Sequence, residues 1–210
     1  MRATNPLEQC LAAVDRALRT VAAAPGARRP GPKGETTDVL TPDERREAGA
    51  LMRVNHVGEI CAQAMYDAQA LAAHSPETRD LFKAAAEEES DHLAWTRARI
   101  DELGSRPSLL NPLWYGGAFA IGWVAARAGD RVSLGFMAET ERQVERHLER
   151  HLARLPVNDS GSRAIVSQMK DEEAHHARTA TALGGAELPR PVRWAMTLAA
   201  RVMTATAHRI

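Results

Sequence analysis

Two Glu-x-x-His motifs lie 84 residues apart in the sequence, at Glu89–His92 and Glu173–His176. In a helix, residues i and i+3 project from the same side, so each motif directs one carboxylate and one imidazole toward a single point. A further glutamate precedes each motif, Glu59 before the first and Glu141 before the second. Four carboxylates and two imidazoles around a bundle axis form the ligand set of a carboxylate-bridged di-iron site. The candidate metal ligands are therefore Glu59, Glu89, His92, Glu141, Glu173 and His176.

Glutamates are abundant in this chain, so the register of the apolar positions must select among them. The apolar positions of the third predicted long helix follow spacings of three and four, and Glu141 lies among them, whereas Glu139 and Glu149 fall beside arginines. The same criterion on the fourth helix selects the pair Glu173–His176 over the overlapping pair Glu172–His175. The core-facing positions are Leu134, Met137, Val144, Leu148, His151 and Leu155 on the third helix, and Val166, Met169, Ala180 and Leu183 on the fourth.

Carboxylates on converging apolar faces require a strong positive charge between them. Burial of one unpaired carboxylate costs on the order of several kcal/mol, and such a group would otherwise be protonated. Two divalent cations would supply this charge. Mixed carboxylate and imidazole ligation suits iron or manganese, whereas zinc favours tetrahedral sites rich in His or Cys. On the second helix, Glu87 and Glu88 are expected to lie at the periphery of this site.

Other polar residues have weaker patterns. His147 and His151 stand four residues apart on a strongly charged helix, which favours a solvated surface, although His147 could act near the metals as a proton-handling group. Asp91 and Asp171 could orient ligand histidines or cap the surface. Cys61 is expected to be a small packed residue.

The composition favours a single helical domain. The chain has 210 residues, of which 44% are apolar and only 4% aromatic, and Ala, Leu, Arg and Glu dominate. A net charge of zero gives no electrostatic basis for nucleic-acid binding. Two cysteines give no disulfide framework, which indicates a reducing compartment.

The expected fold is all-α, a ferritin-like four-helix bundle with a hydrophobic crossover helix and flanking N- and C-terminal amphipathic helices. The predicted organisation is an N-terminal amphipathic helix over 1–24, a linker over 25–40 and a metal-binding domain over 41–210. The helical start signals include Thr41-Pro42-Asp43-Glu44, a capping box, and Ser75-Pro76-Glu77. The predicted long helices are 41–74, 76–104, 130–155 and 158–184, with the crossover at 105–129 and a C-terminal segment at 189–210.

The crossover contains 20 residues without a charge, 107–126, which is long enough to consider as a transmembrane span. Its prolines and glycines weaken that interpretation, and a span would place the second and third helices on opposite sides of the bilayer. We therefore expect a helix in the membrane interface, with Trp and Tyr at the headgroup level, assisted by the C-terminal segment with its four arginines and no acid. The alternative is that both segments pack on the protein itself or form an oligomer interface.

With this ligand set and crossover, the chain resembles the demethoxyubiquinone hydroxylase family of ubiquinone biosynthesis from about Leu51 onward. The intervals between the ligands, 30, 3, 49, 32 and 3, agree with the pattern of that family. Leu148 stands where the eukaryotic members have a tyrosine, which removes any role of that tyrosine here, and the first 40 residues fall outside the resemblance. The segments that carry the likeness are Met52–Glu59, Glu89–His92, Pro112–Gly122, Glu139–Glu141 and Asp171–His176.

The resemblance implies an O2-dependent monooxygenase with two iron ions, which are held by the six candidate ligands, and with His147 near them. It implies hydroxylation of the ring of a polyprenylated demethoxyubiquinone or ubiquinol precursor, at the cytoplasmic face of a bacterial cell membrane as a peripheral protein. Other proteins of ubiquinone biosynthesis, or a second copy of the chain, are candidate partners. The alternative functions are iron oxidation or storage, or a manganese catalase.

Overall fold

The computed structural model describes residues 6–22, 26–34 and 39–210, and within these residues the regular structure is entirely helical. The expectation of an all-α fold is therefore confirmed. The helices are α1 (Pro6–Ala22), α2 (Pro42–Ala72), α3 (Pro76–Glu102), α4 (Asn111–Arg127), α5 (Asp130–Arg154), α6 (Ser160–Ala182) and α7 (Arg190–Ala207).

The helix boundaries follow from local hydrogen bonding. Thr41 and Glu44 form the predicted capping box at the start of α2, because the Thr41 hydroxyl accepts from the Glu44 amide and the Glu44 carboxylate accepts from the Thr41 amide. Ser75 caps α3 by accepting from the Thr78 amide. Gly104, just beyond α3, has a φ of +67°, a conformation that favours glycine.

Helices α2, α3, α5 and α6 form the four-helix bundle, in which α2 packs along α3 and α5 packs along α6. Two apolar clusters fill this bundle at different heights, and all four helices contribute to both of them. On α2, for example, Leu51 belongs to one cluster and Tyr66 to the other, with Glu59 between them in sequence. The polar ligand level is thus enclosed by apolar layers.

Helix α4 is the crossover, and it packs mainly against α2. The two helices approach closely at Gly122, where an added Cβ atom would lie only 2.8 Å from the Cα of Met65. Tyr115 is buried and its hydroxyl donates to Asp67 at 3.2 Å, so the expectation that this tyrosine lies at the headgroup level is wrong. The outward face of α4 carries apolar side chains, among them Leu113, Ile121, Trp123 and Val124. None of the described helices is both long and apolar enough to cross a bilayer.

The N-terminal helix α1 contacts α2 and α4. Arg16 forms an ion pair with Asp67 at 3.0 Å, and Val21 packs with the core. The sequence repeats Leu7, Leu11, Val14, Leu18 and Val21 at spacings of four and three, which predicts an apolar stripe along this helix. Of these, Leu11, Val14 and Leu18 are exposed, while the Leu7 side chain lies outside the described residues. The side of α1 that packs on the bundle therefore includes Val21 but not Leu11, Val14 and Leu18 of this stripe.

The segment 26–34, within the predicted linker, has no helix but lies against the bundle. The indole of Trp95 on α3 donates to the backbone carbonyl of Arg29 at 3.2 Å. Near its end, a Cβ on Gly34 would lie 2.7 Å from the Gly161 backbone nitrogen in α6. Residues 25 and 35–38 of the predicted linker are outside the described part.

Candidate metal centre

The structure brings together all six candidate ligands between the two apolar layers. Each of the four bundle helices contributes at least one of them, and none of these residues is more than 5% exposed. Glu59 comes from α2 and Glu141 from α5, whereas α3 and α6 each contribute a Glu-x-x-His pair. Ferritin-like di-iron bundles have this arrangement, with one Glu from each of two helices and one Glu-x-x-His pair from each of the other two.

The ligand atoms form two groups that overlap. One group holds Glu59 and His92 and the other holds Glu141 and His176, while Glu89 and Glu173 belong to both. Within each group the ligand atoms lie within 4.8 Å of one another. Two adjacent cations that share two carboxylates would fit this arrangement, with one further glutamate and one histidine for each cation.

The two histidines direct the same ring nitrogen toward the carboxylates. Nδ1 of His92 lies 3.1 Å from Glu89, 3.2 Å from Glu173 and 3.5 Å from Glu59. Nδ1 of His176 lies 3.1 Å from Glu173 and 3.6 Å from Glu89. Nδ1 is therefore the nitrogen available to a metal in both motifs.

The opposite ring nitrogens are held by carboxylates outside the ligand set. Nε2 of His92 donates to Glu172 at 2.6 Å, and Nε2 of His176 donates to Glu88 at 3.0 Å. A carboxylate on the outer nitrogen of a ligand histidine fixes the tautomer and the ring orientation. Sequence reasoning missed this role, because it placed Glu88 at the periphery of the site and chose Glu173 over Glu172 without assigning Glu172 a function. A signal was present, because each directly precedes the metal-facing glutamate of its motif.

Asp91 and Asp171, which the sequence offered as residues that could orient the ligand histidines, do not have this role. Asp91 is buried and accepts from the side chain of Arg29 at 2.7 Å rather than from a histidine. Asp171 is exposed. Glu139 is off the ligand level as expected, but it is buried, and it accepts from Gln143 at 2.8 Å.

His147 lies against His151, with ring centroids 3.9 Å apart. Nδ1 of His151 donates to Asn55 at 2.7 Å on α2, four residues before Glu59. Burial, together with Arg150 and Arg154, lowers the pKa of His147 to about 4, so its imidazole is neutral at pH 7. Among the described residues, no hydrogen bond joins His147 to the six candidate ligands.

The electrostatics of the cluster are those of carboxylates crowded in a low dielectric. Burial and the charge of Glu89 raise the pKa of Glu59 well above its usual value. Burial and Glu173 do the same to Glu141. Burial opposes a charge on His176, but hydrogen bonds to Glu173 and Glu88 raise its pKa to about 11. Without metal the cluster therefore retains protons that cations would displace.

The residues fit a metal pair. Among the described side chains, one oxygen of Glu89 and one of Glu141 are buried without a hydrogen-bond partner. Such oxygens are costly unless a cation or a donor faces them. The donor set of four carboxylates and two imidazoles suits iron or manganese.

Comparison with known proteins identifies relatives over nearly the whole chain. The family described as "Ubiquinone biosynthesis protein COQ7" matches residues 46–207. A 3-demethoxyubiquinol 3-hydroxylase of Variovorax paradoxus (strain S110) is 61% identical over 208 residues, covering 99% of this chain and 100% of the relative. Proteins with the same name are 58% identical in Verminephrobacter eiseniae (strain EF01-2), covering 98% of this chain and 100% of the relative, and 56% identical in Cupriavidus metallidurans (strain ATCC 43123 / DSM 2839 / NBRC 102507 / CH34), covering 93% and 96%.

Proposed function

The chain belongs to the ubiquinone biosynthesis protein COQ7 family, and on that premise we propose that it hydroxylates the ring of a polyprenylated 3-demethoxyubiquinol with O2 at a di-iron centre. In the balanced reaction a ring C–H becomes C–OH, the second oxygen atom leaves as water, and a reductant supplies two electrons and two protons. The relatives carry a hydroxylase name, which favours this reaction over the iron storage and catalase alternatives.

The observation that carries the proposal is the pair of overlapping ligand groups. Glu89 and Glu173 would help to hold both irons, because their carboxylates belong to both ligand groups. Glu59 and His92 would complete one position, and Glu141 and His176 the other. When bound, a pair of ferrous ions supplies the electrons and open coordination positions needed to activate O2.

The chain's own residues orient the ligands and exclude water. Glu172 and Glu88 keep the outer nitrogens of His92 and His176 protonated, so that Nδ1 remains free for iron. The apolar layers above and below the ligands keep bulk water from the reacting region. His147 is proposed to handle protons beside the site. Its pKa is lowered to about 4, so its imidazole is neutral at pH 7 and weakly basic.

The substrate also indicates where the protein acts. A polyprenyl tail resides in a bilayer, so the ring must reach the centre from the membrane surface. We propose that α4 and α7 rest on the cytoplasmic face of the bacterial membrane, with the quinol ring entering between the bundle helices. The apolar side chains that α7 exposes are Val192, Trp194, Leu198 and Val202, and its segment also carries Arg190, Arg193, Arg201 and Arg209.

Cells that lack the gene provide the test. They should accumulate the demethoxy precursor, and the wild-type chain should restore the final quinone. Glu141→Ala should fail to restore it, because one iron position would lose its terminal carboxylate. Glu149→Ala, at an exposed position of the same helix, is the matched control and should restore it fully. Unchanged quinones in the deleted cells would refute the proposal.

A further inference from the structure

The segment 26–34 lies outside residues 46–207, which match the family, yet it reaches the proposed metal centre. Arg29 joins two bundle helices. Its Nε donates to Asp91 on α3 at 2.7 Å, and its terminal nitrogens donate to both oxygens of Glu172 on α6 at 2.7 and 3.1 Å. The guanidinium also lies over the Trp95 ring, 5.0 Å from its centroid.

The backbone reinforces this placement. The backbone amide of Arg28 donates to Asp91 at 2.6 Å, and that of Arg29 donates to the same oxygen at 3.3 Å. Together with the Trp95 indole, which donates to the Arg29 carbonyl, these bonds fix the segment on α3. The contacts with α3 therefore position Arg29 independently of its contact with Glu172.

Glu172 connects Arg29 to His92. Its oxygens accept from the guanidinium on one side, and one of them accepts from Nε2 of His92 at 2.6 Å on the other. Bidentate Arg–carboxylate pairs fix geometry as well as adding energy. Arg29 therefore restricts the carboxylate that sets the orientation of the His92 ring.

The second motif has no such support. Glu88, which holds His176, has a side chain 46% exposed, against 15% for Glu172. Among the residues that the structure describes, no arginine donates a hydrogen bond to Glu88. The two motifs are equivalent in sequence but differ in how firmly their outer carboxylates are held.

We propose that Arg29 is a positioning residue of the metal centre, which acts through Glu172 on His92 and makes the His92 position bind its ion more tightly than the His176 position. The inference rests on the proposed ligand set. Loss of a partner in this outer layer typically lowers metal affinity by about 10–100-fold. The N-terminal segment is thereby part of the site rather than a linker alone.

The experiment is a titration of the full-length metal-free chain with Co2+, followed by visible absorption and by chelator competition. The wild-type chain should bind two ions in two steps of different affinity. Arg29→Gln should weaken the tighter step by about tenfold and change the other by less than about twofold. Arg28→Gln is the matched control, since among the described residues this neighbouring side chain pairs with the exposed Glu87 alone, and both steps should remain unchanged.

Further variants separate positioning from general support of the fold. Glu172→Gln should reproduce the selective loss, and the double variant Arg29→Gln/Glu172→Gln should be no weaker than Glu172→Gln alone. In the Co2+-loaded protein, the exchangeable Nε2 proton of His92 should exchange faster with solvent in Arg29→Gln, while that of His176 should not. If Arg29→Gln does not fold, as judged by circular dichroism, the same titration of Arg29→Lys decides. It should show the same selective weakening, because lysine keeps the charge but cannot form the bidentate contact with Glu172.

The possible results distinguish a failure of the proposed ligand set from a failure of the proposed role of Arg29. A wild-type chain that binds fewer than two Co2+ ions would count against the ligand set of the proposed function. A wild-type chain that binds two, with both steps weakened equally or unchanged in Arg29→Gln, would overturn only the role of Arg29. Additive effects in the double variant would also overturn it.

Discussion

Glu172 accepts a hydrogen bond from Nε2 of His92 at 2.6 Å, across the interface between α6 and α3. The equivalent residue of the other motif, Glu88, accepts from His176 in the opposite direction at 3.0 Å. Each Glu-Glu-x-x-His sequence therefore supplies two metal-facing groups and one carboxylate that holds the other motif's histidine. The two halves of the centre depend on each other for orientation.

The reciprocal bonds predict an order of effects for substitutions in the outer carboxylates. Glu172→Gln should weaken metal binding by about 10–100-fold, and Glu88→Gln should weaken it less, because Glu88 is more exposed and solvent can replace it. Glu87→Gln, next to Glu88 but paired with exposed Arg28, should have no effect. Competition with a chelator measures all three, and equal values for Glu87→Gln and Glu172→Gln would refute the assignment.

Neutralising one ligand should have opposite effects on stability and on metal binding. Glu141→Gln removes the cost of burying an ionisable carboxyl group in a crowded cluster, so we expect the metal-free protein to gain about 1–3 kcal/mol in unfolding free energy. Metal should stabilise the variant less than the wild type, because only the group of Glu59, Glu89, His92 and Glu173 keeps its full ligand set. Urea unfolding with and without metal measures both effects. Glu149→Gln should change neither by more than about 0.5 kcal/mol.

The sign of the pH dependence follows from the raised pKa of Glu141. The native metal-free chain binds more protons than the unfolded chain between the ordinary glutamate pKa and the raised one, so this group's contribution to stability falls as pH rises through that window. The gain from Glu141→Gln should therefore be larger at pH 8 than at pH 6. A gain that is larger at pH 6 would contradict the presence of the buried carboxylate.

Three histidines outside the ligand set, His56 and His151 buried and His147 half-buried, should remain neutral in mild acid. Burial is the largest cause, followed by Arg97 at His56, by Arg150 at His147 and by the neighbouring His147 at His151. Together they lower the pKa of His56 and His147 to about 4 and that of His151 to about 2. Because the unfolded imidazoles titrate near ~6.5, their contribution to stability is present above that pH and is lost as pH falls toward the folded values. Nitrogen-detected histidine titrations measure this directly, and midpoints near 6.5 would contradict the burial.

The exposed apolar side of α7 should determine membrane binding. Trp194→Glu should reduce flotation with vesicles that contain phosphatidylglycerol by about tenfold or more, because a side chain that is 69% exposed would lose its place in the interface. Val157→Glu, at a loop position that is 87% exposed, is the matched control and should bind like wild type. Equal binding of all three proteins would exclude α7 as the contact.

The six proposed ligands and the long helices could be predicted because both depend on spacing within a helix. Capping residues such as Thr41 and Ser75 act locally, so they define helix starts without knowledge of the fold. The register of apolar neighbours distinguished Glu141 from Glu139 for the same reason. Information within a few residues was sufficient in these cases.

Residues whose role depends on distant partners could not be predicted in this way. Arg29 lies in a segment without periodicity, and it meets Glu172, 143 residues away, only when α3 and α6 pack together. Glu172 is off the apolar face of its own helix and reaches a histidine on another. Tyr115 faces the protein interior, where its hydroxyl donates to Asp67. No pattern in the sequence around either residue predicts this hydrogen bond.

The proposed hydroxylation is tested by a single turnover of the chain loaded with two Fe2+ ions, given 3-demethoxyubiquinol and 18O2. Mass spectrometry of the extracted quinol should show one 18O atom in a new ring hydroxyl group, and the Glu141→Ala chain should give none. Unmodified quinol, or a hydroxyl group without the label, from a chain that has bound both irons would contradict the assignment of this site as an oxygen-activating hydroxylase centre.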